Sequence, residues 1–255
     1  MKDSAIVLAA FGTATTARDT YAFFEQEIVR QFPGTDVFWT FTSKMLRSTM
    51  RSRGTVWKSP EQIFDELSAG GYARAVIQSL HIVPGKEFEK IRDAACSFPL
   101  ETAVSMPLLS VREDCNIVLE ALSDTIPDPE EWITVFVGHG SEHDRAEALY
   151  KDFDECVHAR FPRNVYTAMI EGIPAWEETR RTIEENPLRR VKFIPLMFVA
   201  GDHIKNDVLG DDGASWKTQL DGFEVDGNER GMGYNPRIIA LYVDRLKKAL
   251  ESTGV

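Results

Sequence analysis

The sequence predicts an α/β protein of two similar Rossmann-like lobes, each with a central parallel four-stranded sheet flanked by helices, and an active-site cleft between them. Three observations predict it. Short apolar runs alternate with helix-period segments, which is the grammar of βαβ units. The order of landmarks in the first half returns in the second. Several of the apolar runs end in a glycine turn that carries a residue able to do chemistry.

The first run, Ile6 to Phe11, opens into Gly12-Thr13 and is answered by Thr134 to Val137 opening into Gly138-His139-Gly140-Ser141. Gly12 and Gly140 stand 128 residues apart. A helical segment follows in each half, closing at Gln31-Phe32-Pro33 and at Arg160-Phe161-Pro162, with the prolines 129 apart. Second strands are expected over 36 to 42 and 165 to 170. The third pair ends at Gly85 and, after an apolar run from Val191 to Val199, at Gly201; these glycines are 116 apart, so the first half carries extra residues before its third strand. Fourth strands near 101–105 and 222–225 lead into helices over 111–123 and 236–250. Asn235-Pro236 is a good start for the last helix, with Asn as cap and Pro at the first helical position. The boundary falls at Pro127-Asp128-Pro129, giving lobes 1–127 and 128–255.

Composition narrows the function. The net charge of −11 argues against a nucleic-acid partner, because phosphate binding needs a basic face. Three widely spaced cysteines without a Cys-x-x-Cys pair suggest neither a disulfide framework nor a zinc knuckle. No apolar run approaches the ~20 residues of a membrane span, and the N-terminal run is too short for a signal peptide, so a cytoplasmic protein is expected. A Gly-x-Gly-x-x-Gly, a P-loop and a Gly-x-Ser-x-Gly are missing, which disfavours dinucleotide binding and serine hydrolysis. No organic cofactor is expected.

Ligands of open parallel sheets bind outside the carboxyl ends of the strands. His139, Glu171 and His203 each follow an apolar run and so are expected to converge there. Two imidazoles and a carboxylate suit Zn²⁺, Co²⁺, Ni²⁺ or Fe²⁺ and leave coordination positions open. In the repeat, His139 takes the place of Phe11, Glu171 that of Thr42 or Ser43, and His203 that of Glu87. Only the second lobe carries imidazoles at these turns. His81, in the third strand of the first lobe, either reaches the cleft or is a satisfied core histidine. Residues 42–60 hold Lys44, Arg47, Arg51, Arg53 and Lys58 with no Asp or Glu, a cationic segment suited to a polycarboxylate ligand.

These stretches resemble the anaerobic cobalt chelatases of the CbiK type, relatives of ferrochelatase. The matching residues are Ala10-Phe11-Gly12-Thr13, Phe41-Thr42-Ser43, Gln78 to Gly85, Gly138-His139-Gly140, Glu171 with Pro174, and above all Pro195 to His203, continued by Asn206-Asp207 and Asp211 to Lys217. The resemblance spans nearly the whole chain. It implies insertion of Co²⁺ into sirohydrochlorin, an acidic tetrapyrrole, with His139, Glu171 and His203 as metal and catalytic residues. Phe11, Gly12 and Thr13 would let backbone and ring edge approach closely, and Arg51 and Arg53 match family arginines, while Lys44 and Arg47 do not obviously do so. The last helix, 236–250, would cross back to the first lobe. Histidine, with an ordinary pKa of about 6.5, suits the acceptance of pyrrole protons. The rival expectations are an iron or nickel chelatase on the same macrocycle and a non-catalytic tetrapyrrole carrier; a homo-oligomer is compatible with either.

Overall fold

In the computed structural model, which describes residues 2–252, eight strands form two four-stranded sheets, and every strand pairing is parallel. The first sheet contains β1 (Lys2–Ala10), β2 (Asp36–Phe41), β3 (Tyr72–Ser79) and β4 (Glu101–Ser105) in the order β2-β1-β3-β4. The second contains β5 (Ile133–Gly140), β6 (Val165–Glu171), β7 (Arg190–Pro195) and β8 (Glu224–Gly227) in the order β6-β5-β7-β8. The order is the same in both, so the repeat of sequence landmarks is a repeat of topology. In each sheet the first strand is flanked on both sides, and the residues Ala5–Ala9 and Ile133–Val137 are fully buried.

The helices follow from local signals. α1 (Asp19–Gln31) closes at Phe32-Pro33, and α6 (Asp144–Arg160) ends before Phe161-Pro162. The extra residues of the first half form α2 (Lys44–Ser52), which is capped by the Ser43 hydroxyl. The next helix, α3 (Pro60–Ala69), starts with Ser59 and Gln62 in a reciprocal capping box and Pro60 at its first turn. α4 (Lys86–Ser97) leads from β3 to its neighbour β4, and α7 (Trp176–Glu184) crosses from β6 to β7. α3 and α4 bury Ile63, Phe64, Leu67 and Ile91 against Val7 and Ile77 of the first sheet. On the second sheet Trp176 of α7 stacks on Trp216 of α8 (Trp216–Gln219) with ring centroids 4.4 Å apart, against Phe193 of β7.

By packing, the chain divides into one unit made of residues through Leu108 with those from Ile239 onward, and a second spanning Leu109–Ile238. This differs from the expected boundary at residue 127. The helix α5 (Arg112–Leu122) goes with the second unit because Arg112 pairs with Asp152 and Glu155 of α6, and Arg160 of α6 with Glu120 of α5. The last helix, α9 (Pro236–Ser252), is anchored in the first unit: Tyr242 meets Phe24 of α1 edge-on at 5.7 Å, and the Arg245 guanidinium donates to the carbonyls of Met106, Pro107 and Leu108. A second difference concerns β7, which ends at Pro195 rather than Val199; Leu196 still donates to the Val137 carbonyl, and the chain then leaves the sheet. The cysteines Cys96, Cys115 and Cys156 are all free thiols. No helix among the described residues is long and apolar enough to cross a membrane.

Candidate metal centre

The second unit carries His139 and Glu171 at the ends of β5 and β6 and His203 on the segment that follows β7. β5 lies between β6 and β7, with Gly138 opposite Met169 and Gly140 opposite Glu171. The glycines around His139 are needed for this pairing. Gly140 has φ +86°, and a Cβ there would lie 1.5 Å from the Glu171 carbonyl oxygen; a Cβ on Gly138 would lie 2.4 Å from the Met169 sulfur. Tyr150 of α6, 3% exposed, packs its ring on Gly138, and its hydroxyl hydrogen-bonds the Gly140 backbone. The histidine is therefore carried on a turn held from two sides. In the first unit Tyr21, 129 residues earlier, bonds the backbone of Gly12 in the same way.

His203 arrives by another route. After β7 the segment from Leu196 is tethered by Met232 and Gly233, whose N–H groups donate to the carbonyls of Met197 and Phe198 at 2.8 and 2.9 Å. It ends in a single wide π-helical turn, Ile204–Val208, with His203 at its start. Such turns recur at functional sites. The His203 ring meets the His139 ring edge-on, centroids 4.9 Å apart and planes at 84°. On its other side, His203 Nδ1 lies 2.6 Å from Asp207 Oδ2.

Burial pushes the His139 imidazole below its ordinary pKa, and the neighbouring His203 pushes it further; Glu171 and the Gly140 backbone oppose this without cancelling it. His139 is thus neutral near pH 7, with a lone pair for a cation or a proton. Glu171, exposed at the end of β6, faces His139 electrostatically. Among the described residues no three His, Cys, Asp or Glu side chains close around a common point. The two imidazoles come together as a pair, and the carboxylate stands beside them rather than completing a cage.

The first unit presents a different set. Phe11 is 44% exposed at the end of β1; Gly12 has φ +110° beneath the Trp57 ring; Thr13 is buried, its hydroxyl 3.0 Å from that of Thr15. The basic segment is divided in its work. Arg53 donates to the Ala14 carbonyl at 2.7 Å, Arg47 to the Phe41 carbonyl, and Lys58 pairs with Glu66. These three hold the loops around α2. Lys44 and Arg51 remain exposed, without a partner among the described residues. Arg53 is therefore less available to a ligand than its place in the sequence suggests, and Lys44 more so.

His81 has both ring nitrogens beside hydroxyls, Nδ1 at 3.0 Å from Ser79 Oγ and Nε2 at 3.5 Å from Thr42 Oγ1. Burial lowers its pKa to about 4, with Glu87 opposing and Lys90 assisting. Glu87, at the repeat position of His203, is pushed up by burial, but hydrogen bonds from Lys90 and Thr42 outweigh this and hold it below the usual carboxylate value. Glu87 had one sequence signal, the repeat alignment. Asp207 stands in the stretch Asn206-Asp207 that carries the resemblance, but its bond to His203 had no signal of its own, because Asp after a helix start reads equally well as a capping residue.

A pH dependence follows from His81. The unfolded chain protonates this imidazole near pH 6.5, the folded chain only near 4, so its contribution to stability is complete above 6.5 and is lost as pH falls toward 4. The loss amounts to at most about 3 kcal/mol. Substituting His81→Gln is expected to flatten that part of the curve of urea midpoint against pH; an unchanged curve refutes the assignment.

Comparison with known proteins gives a consistent result. A family model described as "Cobalt chelatase (CbiK)" matches residues 4–251. The chain is 35% identical over 256 residues to the sirohydrochlorin cobaltochelatase of Salmonella typhimurium, covering 96% of each. It is 28% identical over 264 residues to the sirohydrochlorin cobaltochelatase CbiKC of Nitratidesulfovibrio vulgaris, covering 99% of this chain and 92% of the relative. Among solved structures, SirB from Bacillus subtilis with Fe³⁺ superimposes with a TM-score of 0.68 at 15% identity, covering 100% of this chain and 98% of that one. That last likeness concerns the fold.

Proposed function

The chain belongs to the cobalt chelatase (CbiK) family and is a metal chelatase, and from that premise we propose that it inserts Co²⁺ into sirohydrochlorin through His139 and His203. The observation that carries the reading is the pair of imidazoles with ring centroids 4.9 Å apart, one at the end of β5 and the other at the start of the π-helical turn that follows β7.

Insertion exchanges two pyrrole N–H protons for one divalent ion that must leave its water and protein ligands for four ring nitrogens. A neutral His139 and the Nε2 of His203 offer the ion two nitrogen donors. Two imidazoles with the Glu171 carboxylate beside them leave positions open for the incoming ring nitrogens, and such a seat releases the ion more readily than a closed four-residue cage. As the ion moves across, the imidazoles it leaves are free to take up the pyrrole protons, and Glu171 beside His139 offsets the developing charge. Taken by itself, the first unit offers exposed cations at Lys44 and Arg51, suited to carboxylates of the macrocycle, and an exposed ring at Phe11 beside Gly12 and Thr13.

The test mixes purified protein, metal-free sirohydrochlorin and Co²⁺ and follows the visible spectrum against a protein-free control. Insertion faster than the control is expected; equal rates overturn the reading. Fe²⁺ and Ni²⁺ accept the same donors, and the same assay run with each ranks the three ions.

A further inference from the structure

We propose that Asp207 is a positioning residue that fixes the tautomer and ring orientation of His203, so that Nε2 is the face this histidine presents to the incoming ion; the inference rests on the metal-presenting role given above to His203. The Oδ2–Nδ1 distance of 2.6 Å is short, in the direction expected of a hydrogen bond with an ionised partner. An ionised carboxylate can only accept, so the proton of this bond sits on Nδ1. A neutral His203 then has its lone pair on Nε2 and nowhere else.

The surroundings support a dedicated role. Asp207 and His203 are both about half exposed, with side-chain exposures of 51% and 43%, so the contact is not a by-product of core packing. The other nearby acid, Asp202, is occupied by Asn206, which donates to it at 2.9 Å. The pair is four residues apart on the π-helical turn, closed by the Leu209 N–H on the Ile204 carbonyl at 3.0 Å; Ile204 and Val208 are buried and hold the turn to the core. Ring and carboxylate are thus carried on one short rigid element. A histidine left on a half-exposed turn without that bond rotates freely about its side-chain torsions and exchanges tautomers, and both reduce the fraction poised to bind. Carboxylates behind metal-binding histidines act in this way generally, and their loss weakens metal binding by about 10- to 100-fold.

The experiment measures Co²⁺ affinity by competition with a chelating dye, for the full chain and for Asp207→Ala, Asp207→Asn and His203→Ala, in one mildly alkaline buffer. Alongside it, ¹⁵N spectra of histidine-labelled protein report the tautomer of each of the five imidazoles, with His203→Ala assigning the signal. In the unsubstituted protein His203 is expected as the Nδ1–H tautomer. Asp207→Ala is expected to shift it toward Nε2–H and to raise the Co²⁺ dissociation constant about 10- to 100-fold. Asp207→Asn, which keeps a carbonyl acceptor at the same place, is expected to retain the tautomer and recover part of the affinity. The urea midpoint and the apparent Michaelis constant for the macrocycle are expected to stay put. Wild-type affinity and tautomer in Asp207→Ala, with affinity lost in His203→Ala, overturn this inference and leave the metal reading intact. Wild-type affinity in His203→Ala overturns both.

Discussion

Substituting His203→Ala or His139→Ala is expected to lower the rate of cobalt insertion by about 10²- to 10⁴-fold each, the range associated with removing a positioned proton acceptor. The fold should survive both. His203 is half exposed, and His139 lies on a turn whose shape is set by Gly138, Gly140 and Tyr150 rather than by the imidazole. On the proposal that the two rings act on one ion, the losses should not multiply; the double variant is expected within about tenfold of the worse single one, as for other groups that work as a unit. Initial rates with saturating Co²⁺ and sirohydrochlorin, together with a circular-dichroism melt, decide the matter. Near wild-type turnover in either single variant removes that histidine from the mechanism.

The second large effect is expected from Gly140→Ala. The residue has φ +86°, a conformation that costs an L-residue about 1–2 kcal/mol, and its new methyl would sit 1.5 Å from a backbone oxygen of Glu171. A backbone atom in a paired strand cannot swing aside as a side chain can. The ends of β5 and β6 must separate, carrying His139 and Glu171 apart. Gly34→Ala is the internal control, with φ +83° and nothing within 4 Å of its Cβ position. Gly34→Ala is expected to cost only the backbone penalty, and Gly140→Ala at least about 2 kcal/mol more, with loss of insertion activity. Equal urea midpoints for the two variants would show that the close approach at Gly140 is relieved cheaply.

Much of the architecture was legible because punctuation and periodicity are local properties. Short apolar runs, several of them ending in a glycine turn, gave the strands, and Asn235-Pro236 gave a helix start that the structure uses. The repeat spacing of 128 to 129 residues marked out two sheets of one topology. The overextension of β7 has a clear cause. Leu196 and Phe198 are buried although they lie outside the strand, and a buried apolar run reads alike in strand and in packed loop. The division by packing differs from the boundary at residue 127 where α5 joins α6 through ion pairs such as Arg112–Asp152, whose partners lie 40 residues apart and have no periodic relation.

The sequence by itself determined the fold class, and it singled out the residue types of the proposed site: imidazoles, a carboxylate and a cationic segment, each placed after a strand by its glycine or its neighbours. Only the tertiary structure decided how they are used. It paired His139 with His203, gave Asp207 to His203, left Glu171 beside the pair rather than between its members, and assigned Arg53 to a backbone carbonyl while Lys44 and Arg51 stayed open. The physical reason is one of range. Strand, turn and cap preferences act over a few residues and are written in adjacent letters, whereas a hydrogen bond or a lowered pKa depends on what distant segments bring within a few ångströms.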